Sequence, residues 1–340
     1  MAQTFADLGR IEAIRQLFEG TGFRPFGEPL WLEAKPQECI TTATALLLEG
    51  VDFNLIYFPL KHLGRKAVLR VCGELFAVMA RPEALSVQFG VSAKLDFPQV
   101  QELWSGVVAG AKEMGFRQLS LDLQPSQNGL SIALSATGRH SAAVSAARPQ
   151  AQSKDLVCVS GALGAAFLGL QVLERERLKF EQGGTDQKVL EQYRMLVGAY
   201  LRPELDPRLP AQLEEAHIAP SFGYFMTRGL ADALLRLRRD SRLGVKVYAD
   251  KIPFEGGSFA LGKELDLDPV SAAMNGGEDY KVLFVVPIAQ YERFRKDFQT
   301  FDIIGHLAQP EAGAVLVSPD GLEHPVSAPG WPSSAQNEKV

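Results

Sequence analysis

Cysteine is scarce in this chain: Cys39, Cys72 and Cys158 are the three among 340 residues, odd in number and widely spaced. None forms a Cys-x-x-Cys pair, which argues against a disulfide framework or a zinc site and suits a reducing cytoplasm. The five histidines, among them His62, His140 and His217, show no metal-ligand spacing. No apolar run is long enough to span a bilayer, and the first twenty residues have no apolar core of signal-peptide type, so a cytoplasmic protein with no membrane partner is expected. Long runs of one charge are missing too. The formal charge is −5, and the cluster Arg236, Arg238 and Arg239 reads as a solvated helix face, so nucleic-acid binding is not expected. Gly-x-Ser-x-Gly and Walker-type loops are absent, which removes support for serine-hydrolase and P-loop chemistry.

What is present is ordinary globular composition, 46% hydrophobic and 22% charged, over a length that predicts about two domains. Strand and helix patterns alternate, the mark of an α/β or α+β protein. Ile11, Ile14, Leu17 and Phe18 recur at helical spacing. ECITTATALLLEGVDF reads as strand then turn, and Pro59 opens a helix through LKHLGRKAV. ALSVQFGVS alternates as a strand. Val100, Leu103, Trp104, Val107 and Ala111 form one helical stripe in which Trp104 is core. The small, polar stretch SAAVSAARPQAQSKD predicts a boundary between units 1–148 and 149–332. LVCVSG then reads as a fresh strand, followed by a helix punctuated by Gly161, Gly164 and Gly169. GLADALLRLRRD is a helix that Thr227 could cap. LGVKVYADKIP is a strand ending at Pro253, and residues 333–340 are expected to be disordered.

The segment MNGGEDYKVLFVVP places Glu278 and Asp279 on a glycine turn before an apolar strand. Alone, such a turn is more readily structural than functional. Jointly with LLLEGVDFNLIYFPLKHLGRKAV, ARPEALSVQFGVS, LVCVSGALGAAFLGLQVLERE and the LRPE at Leu201, it resembles the thiamine-monophosphate kinase family of the AIR-synthase-like superfamily. The pieces fall in the family's order over nearly the whole chain. The resemblance implies two α/β domains, with a nucleotide cleft and homodimer strands on the N-terminal one. It implies transfer of the γ-phosphoryl of ATP to thiamine monophosphate, with Mg²⁺ held by aspartates.

Against that pattern the acidic ring is thin. By resemblance the metal-ligand positions are Glu28, Thr44, Glu74 and Asp122, with Ala45 where the family has aspartate. The nucleotide-binding positions are Asp122, Arg148, Thr227 and Arg228. Phe225 and Arg228 stand where the family has two aspartates. The substrate-binding positions are Asp52, Glu278 and Trp331, while Asp279 is read as loop structure. Fewer magnesium ions than in the family are expected. Each uncompensated ion leaves phosphate charge unneutralised, and a loss of ~4 kcal/mol is roughly a thousandfold in rate. The expectation is a kinase-like protein of weakened activity. The alternative is an inactive relative that binds ligand or serves as a regulatory or structural dimer. Selenophosphate synthetase and the hydrogenase-maturation relative are set aside, for want of an N-terminal reactive residue and of a C-terminal cysteine.

Overall fold

The computed structural model describes residues 8–24, 30–33, 35–184, 187–298 and 301–328. Glu28, Trp331 and the tail 333–340 lie outside these. The first half comprises α1 (Arg10–Phe18), β1 (Glu38–Leu48), α2 (Leu60–Ala77), β2 (Arg81–Ser92), α3 (Phe97–Glu113), β3 (Gln118–Ser126), β4 (Ser131–Ser141) and the short α4 (Ala142–Ala146). Its four strands lie in the order β1-β4-β2-β3. β2 and β3 run parallel, so their connection must cross over the sheet, and α3 makes that crossing. A capping box starts α3: Asp96 accepts from Gln99 N at 2.9 Å, and the Gln99 side chain accepts from Asp96 N at 3.0 Å.

One face of this sheet, with Leu85, Val87, Leu121 and Leu134, is buried. On the other face of β1, Ile40, Leu46 and Leu48 are 49%, 56% and 38% exposed. In α1 the inward residues are Ala13, Ile14, Leu17 and Phe18; Ile11, expected in the apolar stripe, faces solvent. The stripe keeps its four residues but is shifted, with Ala13 in the place of Ile11. Trp104 is buried on α3, as expected of a core residue.

The second half runs β5 (Leu156–Val159), α5 (Ala165–Glu181), α6 (Gln187–Gln192), α7 (Arg194–Leu201), α8 (Leu209–Glu215), β6 (Phe222–Met226), α9 (Leu230–Ser241), β7 (Gly244–Tyr248), α10 (Ser258–Leu265), α11 (Pro269–Asn275), β8 (Lys281–Val286), α12 (Tyr291–Asp297), β9 (Asp302–Ala308), β10 (Ala314–Val317) and β11 (Glu323–Pro325). Its strands order as β11-β10-β7-β9-β5-β8-β6. β7 stops at Tyr248, and a 3₁₀ turn over Ala249–Lys251 fills the run to Pro253 that the sequence reads as strand. Thr227 does not cap α9. Gly229 holds the cap position at φ 89°, and no side chain bonds there.

The helix α2 positions the site. It lies between the sheets, packed on β1 and β4 on one side and on β6 and β8 on the other. It packs closely on α3 through paired glycines: a Cβ on Gly64 would sit 2.1 Å from Leu103 O, and one on Gly106 would sit 1.9 Å from Lys61 O. One apolar cluster runs through both halves, from Leu47 and Phe76 to Phe225 and Phe284. Among the described residues no helix is long and apolar enough to cross a membrane.

Candidate functional site

The segment Gly277–Tyr280 carries backbone conformations that side chains rarely adopt. Gly277 has φ 75°, Glu278 φ 63° and Tyr280 φ 54°. Positive φ on Glu and Tyr costs free energy and persists only where surrounding contacts hold it. Here Glu278 N donates to Thr227 O and Tyr280 N to Met226 O, both at 3.1 Å, which fastens the turn to the end of β6. Asp279 is buried and accepts from Gly164 N at 2.9 Å and from Ala166 N at 3.4 Å, at the start of α5. It completes a helix N-terminus from a distant loop, as the structural reading expected.

Glu278 points the other way, at α2. Its carboxylate pairs with Lys66 Nζ at 2.8 Å and with Arg70 Nη1 at 2.5 Å, and Arg70 lies 3.8 Å from Asp52. Lys66 is 1% exposed; its Nζ also donates to Tyr200 O at 2.9 Å and sits 3.8 Å from the Tyr200 ring centroid. Burial pushes Glu278 up, but Lys66 and Arg70 outweigh burial and hold its carboxyl below the usual range. Burial pulls the Lys66 ammonium below its ordinary value, with Glu278 opposing. Asp52 and Glu278, both expected to face substrate, are thus joined through Arg70. Lys66 and Arg70 were missed by the sequence reading. The available signal was Lys66 and Arg70, four apart and interleaved with the apolar residues Leu63, Ala67 and Val71, where an unpaired charge would not be buried.

Next to this network lies a cleft of about 380 Å³ lined by Thr44, Ala45, Glu74, Thr227 and Arg228, together with Arg70, Asp232 and Arg236. The structure therefore brings Thr44, Glu74, Thr227 and Arg228 together. Burial raises the Glu74 carboxyl above its ordinary value, and Arg236 and Arg70 pull it back. Arg236 is paired with Asp232 at 2.9 Å. Arg228 is exposed and makes no side-chain hydrogen bond or ion pair with any described residue. Phe225 does not face the cleft. It is fully buried, its ring standing where a Cβ on Gly73 would be, 2.2 Å away, and edge-on to Tyr280 at 5.3 Å between centroids.

Asp122 and Arg148 are elsewhere. Asp122 is on β3, at the opposite sheet edge from Thr44 on β1, and pairs with Arg10. Three strand spacings of ~4.8 Å put these two edges ~14 Å apart, whereas one Mg²⁺ needs its oxygens at ~2.1 Å. Arg148 donates to Val78 O at 3.3 Å beside a separate pocket with Met79 and His217. Among the described residues no group of three or more His, Cys, Asp or Glu could hold a metal ion. The cleft has two carboxylates, one committed to an arginine and one pushed towards its neutral form. This donor set does not fit a cluster of magnesium ions.

Comparison with known proteins agrees with this architecture. The family described as AIR synthase related protein, N-terminal domain, matches residues 29–140. The thiamine-monophosphate kinase of Pyrococcus horikoshii is 25% identical over 274 residues, 80% of this chain and 79% of its own. The Aquifex aeolicus enzyme, solved with AMPPCP and TMP, superposes with a TM-score of 0.71 at 20% identity, over 94% of this chain and 96% of that one. The Escherichia coli hydrogenase maturation protein HypE shares the fold at a TM-score of 0.69 and 16% identity, over 94% and 98%. Residues 29–140 thus match an AIR synthase related N-terminal domain, and over most of its length the chain is similar to thiamine-monophosphate kinases, whose fold it shares.

Proposed function

We propose that the protein is a thiamine-monophosphate-kinase-like phosphotransferase of weakened activity, which takes ATP and thiamine monophosphate in the Arg228 cleft. The carrying observation is the free Arg228 guanidinium beside Thr44, Thr227 and Glu74, with Arg70 and Arg236 behind it. Phosphoryl transfer is mostly positioning and charge neutralisation. A guanidinium presents a planar fork of donors that matches phosphate oxygens, so it can neutralise charge where carboxylate-held cations do not fit. Thr44 and Thr227 offer hydroxyls to the same phosphate chain. The apolar outer residues of β1, Ile40, Leu46 and Leu48, support a homodimer through the four-stranded sheet. The work is placed in the cytoplasm, where ATP is available.

A second reading has its own support. Glu278 is already neutralised by Lys66 and Arg70, so it has no spare charge for a cationic heterocycle. That favours a ligand-binding relative without turnover. Thiamine diphosphate formation by the purified protein, with ATP, Mg²⁺ and thiamine monophosphate, separates the two. Turnover that disappears in Arg228→Ala supports the kinase. No product from folded wild-type protein that still binds ATP overturns it in favour of the binding protein.

A further inference from the structure

A second and larger cavity, of about 660 Å³, shares no residue with the Arg228 cleft. Its walls come from α2 and α3 on one side and from α7 and the turn before α5 on the other. Lys61, Arg194, Arg202 and Lys281 converge on it, and none of the four makes a side-chain ion pair or hydrogen bond with a described residue. Arg65, also on the wall, is spent: it forks onto Glu113 at 2.7 Å and donates to Pro203 O at 2.8 Å. The carboxylates on the wall are Glu204, Glu255 and Asp279, and Asp279 is committed to the backbone of α5. The floor is small and apolar, at Gly106, Ala109 and Ala199. The volume falls in the range of sites that enclose a small molecule.

Four cations without an ion pair on one concave wall repel one another, and Glu204 and Glu255 offset them only in part. His62, among them, registers the same field. Burial lowers its imidazole below the ordinary value, and Arg202, Lys61 and Arg65 lower it further, with Glu102 opposing. A cavity of about 660 Å³ is much larger than one compact anion, whereas a chain of linked phosphates would fill more of it and engage more of its cations. We propose that this cavity binds a small molecule carrying two or more linked phosphates, gripped by Lys61, Arg194, Arg202 and Lys281, at a site separate from the Arg228 cleft.

The test is calorimetric titration with inorganic pyrophosphate of wild type, Arg228→Ala and the double variant Arg194→Ala/Arg202→Ala. Both arginines of the double variant are exposed, so the fold is expected to survive, and a melting curve checks it. The double variant is expected to lose about a hundredfold or more at this site, roughly tenfold per charge-assisted contact. Arg228→Ala retains binding here, and orthophosphate binds more weakly than pyrophosphate. The second readout is the His62 imidazole titration by NMR. Saturating pyrophosphate raises its midpoint in wild type and in Arg228→Ala but not in the double variant. Unchanged pyrophosphate affinity in the double variant, or a His62 midpoint that pyrophosphate does not move, overturns the proposal. Orthophosphate that binds as tightly as pyrophosphate overturns the linked-phosphate assignment.

Discussion

Replacing Glu278 with Gln keeps the shape of the side chain and removes its charge. Lys66, 1% exposed, then keeps the Tyr200 carbonyl and ring but has no carboxylate. Breaking a buried pair this way costs about 3–5 kcal/mol. Here the cost has a ceiling, because Lys66 can shed its proton. Removing a proton from an ordinary lysine at pH 7 costs about 1.36 kcal/mol for each of roughly 3.4 pH units, or about 4.6 kcal/mol. The ceiling falls as pH rises, to about 2 kcal/mol at pH 9, since the unfolded lysine then also holds its proton less tightly. With a melting entropy of ~2.1 cal/mol/K per residue, a 340-residue chain loses about 6 °C at pH 7 and about 3 °C at pH 9. Melting temperatures of wild type and variant at both pH values measure this directly. Adding Lys66→Met to Glu278→Gln removes the stranded cation and should recover at least half of the loss. A deficit under ~1 kcal/mol, one that is flat between the two pH values, or a double variant whose losses simply add, would refute the buried-pair account.

Three further outcomes follow from the same packing. Gly106→Ala would place a methyl 1.9 Å from Lys61 O, against backbone that cannot rotate away; a loss of about 2–4 kcal/mol in denaturant titration is expected, and a neutral effect would mean the two helices are not in contact there. Phe225→Asp puts an acid at a position the resemblance assigns to metal, but into a fully buried site over Gly73. It is expected to cost about 4 kcal/mol or more without creating Mg²⁺ affinity; a folded variant that binds Mg²⁺ would overturn this. Burial pushes the Asp279 carboxyl up to about 7, against the N–H bonds from Gly164 and Ala166. Its folded value lies above its unfolded one, so its contribution is intact below about pH 4 and lost as pH rises through about 7. Asp279→Asn removes that dependence and should gain on wild type between pH 5 and pH 8; a constant difference in melting temperature across that range argues against a protonated Asp279.

The strands and helices of the first half were legible because each has one clean face. Leu85, Val87 and Phe89 alternate, and Val100, Leu103, Trp104 and Val107 form a stripe, so period alone separates strand from helix. At Gly169 a Cβ would be 2.0 Å from Leu196 O, so the glycine that punctuates this helix marks a close approach of α5 and α7. The end of β7 was not legible, because VYADKIP is equally compatible with strand and with a tight turn, and only the packing of the sheet decides. Nor was the cap of α9, where Thr227 has the right chemistry, but Gly229 can take φ 89° and does.

The site was legible as a set of residues and illegible as a geometry. Spacing along the chain does not give strand order. In β1-β4-β2-β3, Thr44 and Asp122 fall on opposite edges, so two positions that share a ligand by resemblance do not share one within this chain. Charge balance was hidden for a related reason. Arg70, the pair Phe225 and Arg228, and Glu278 lie on three distant stretches of sequence, and only the packing of α2 against β6 and β8 brings them together. There the consequence is physical. An aspartate at 225 would be fully desolvated beside Gly73 and Tyr280, and a Glu278 without Arg70 and Lys66 would be a buried unpaired carboxylate. Each substitution in the site is viable only with its neighbours. That is why restoring one acidic residue should not restore a metal site, and why removing one cation from α2 should be felt as lost stability before it is felt as lost binding.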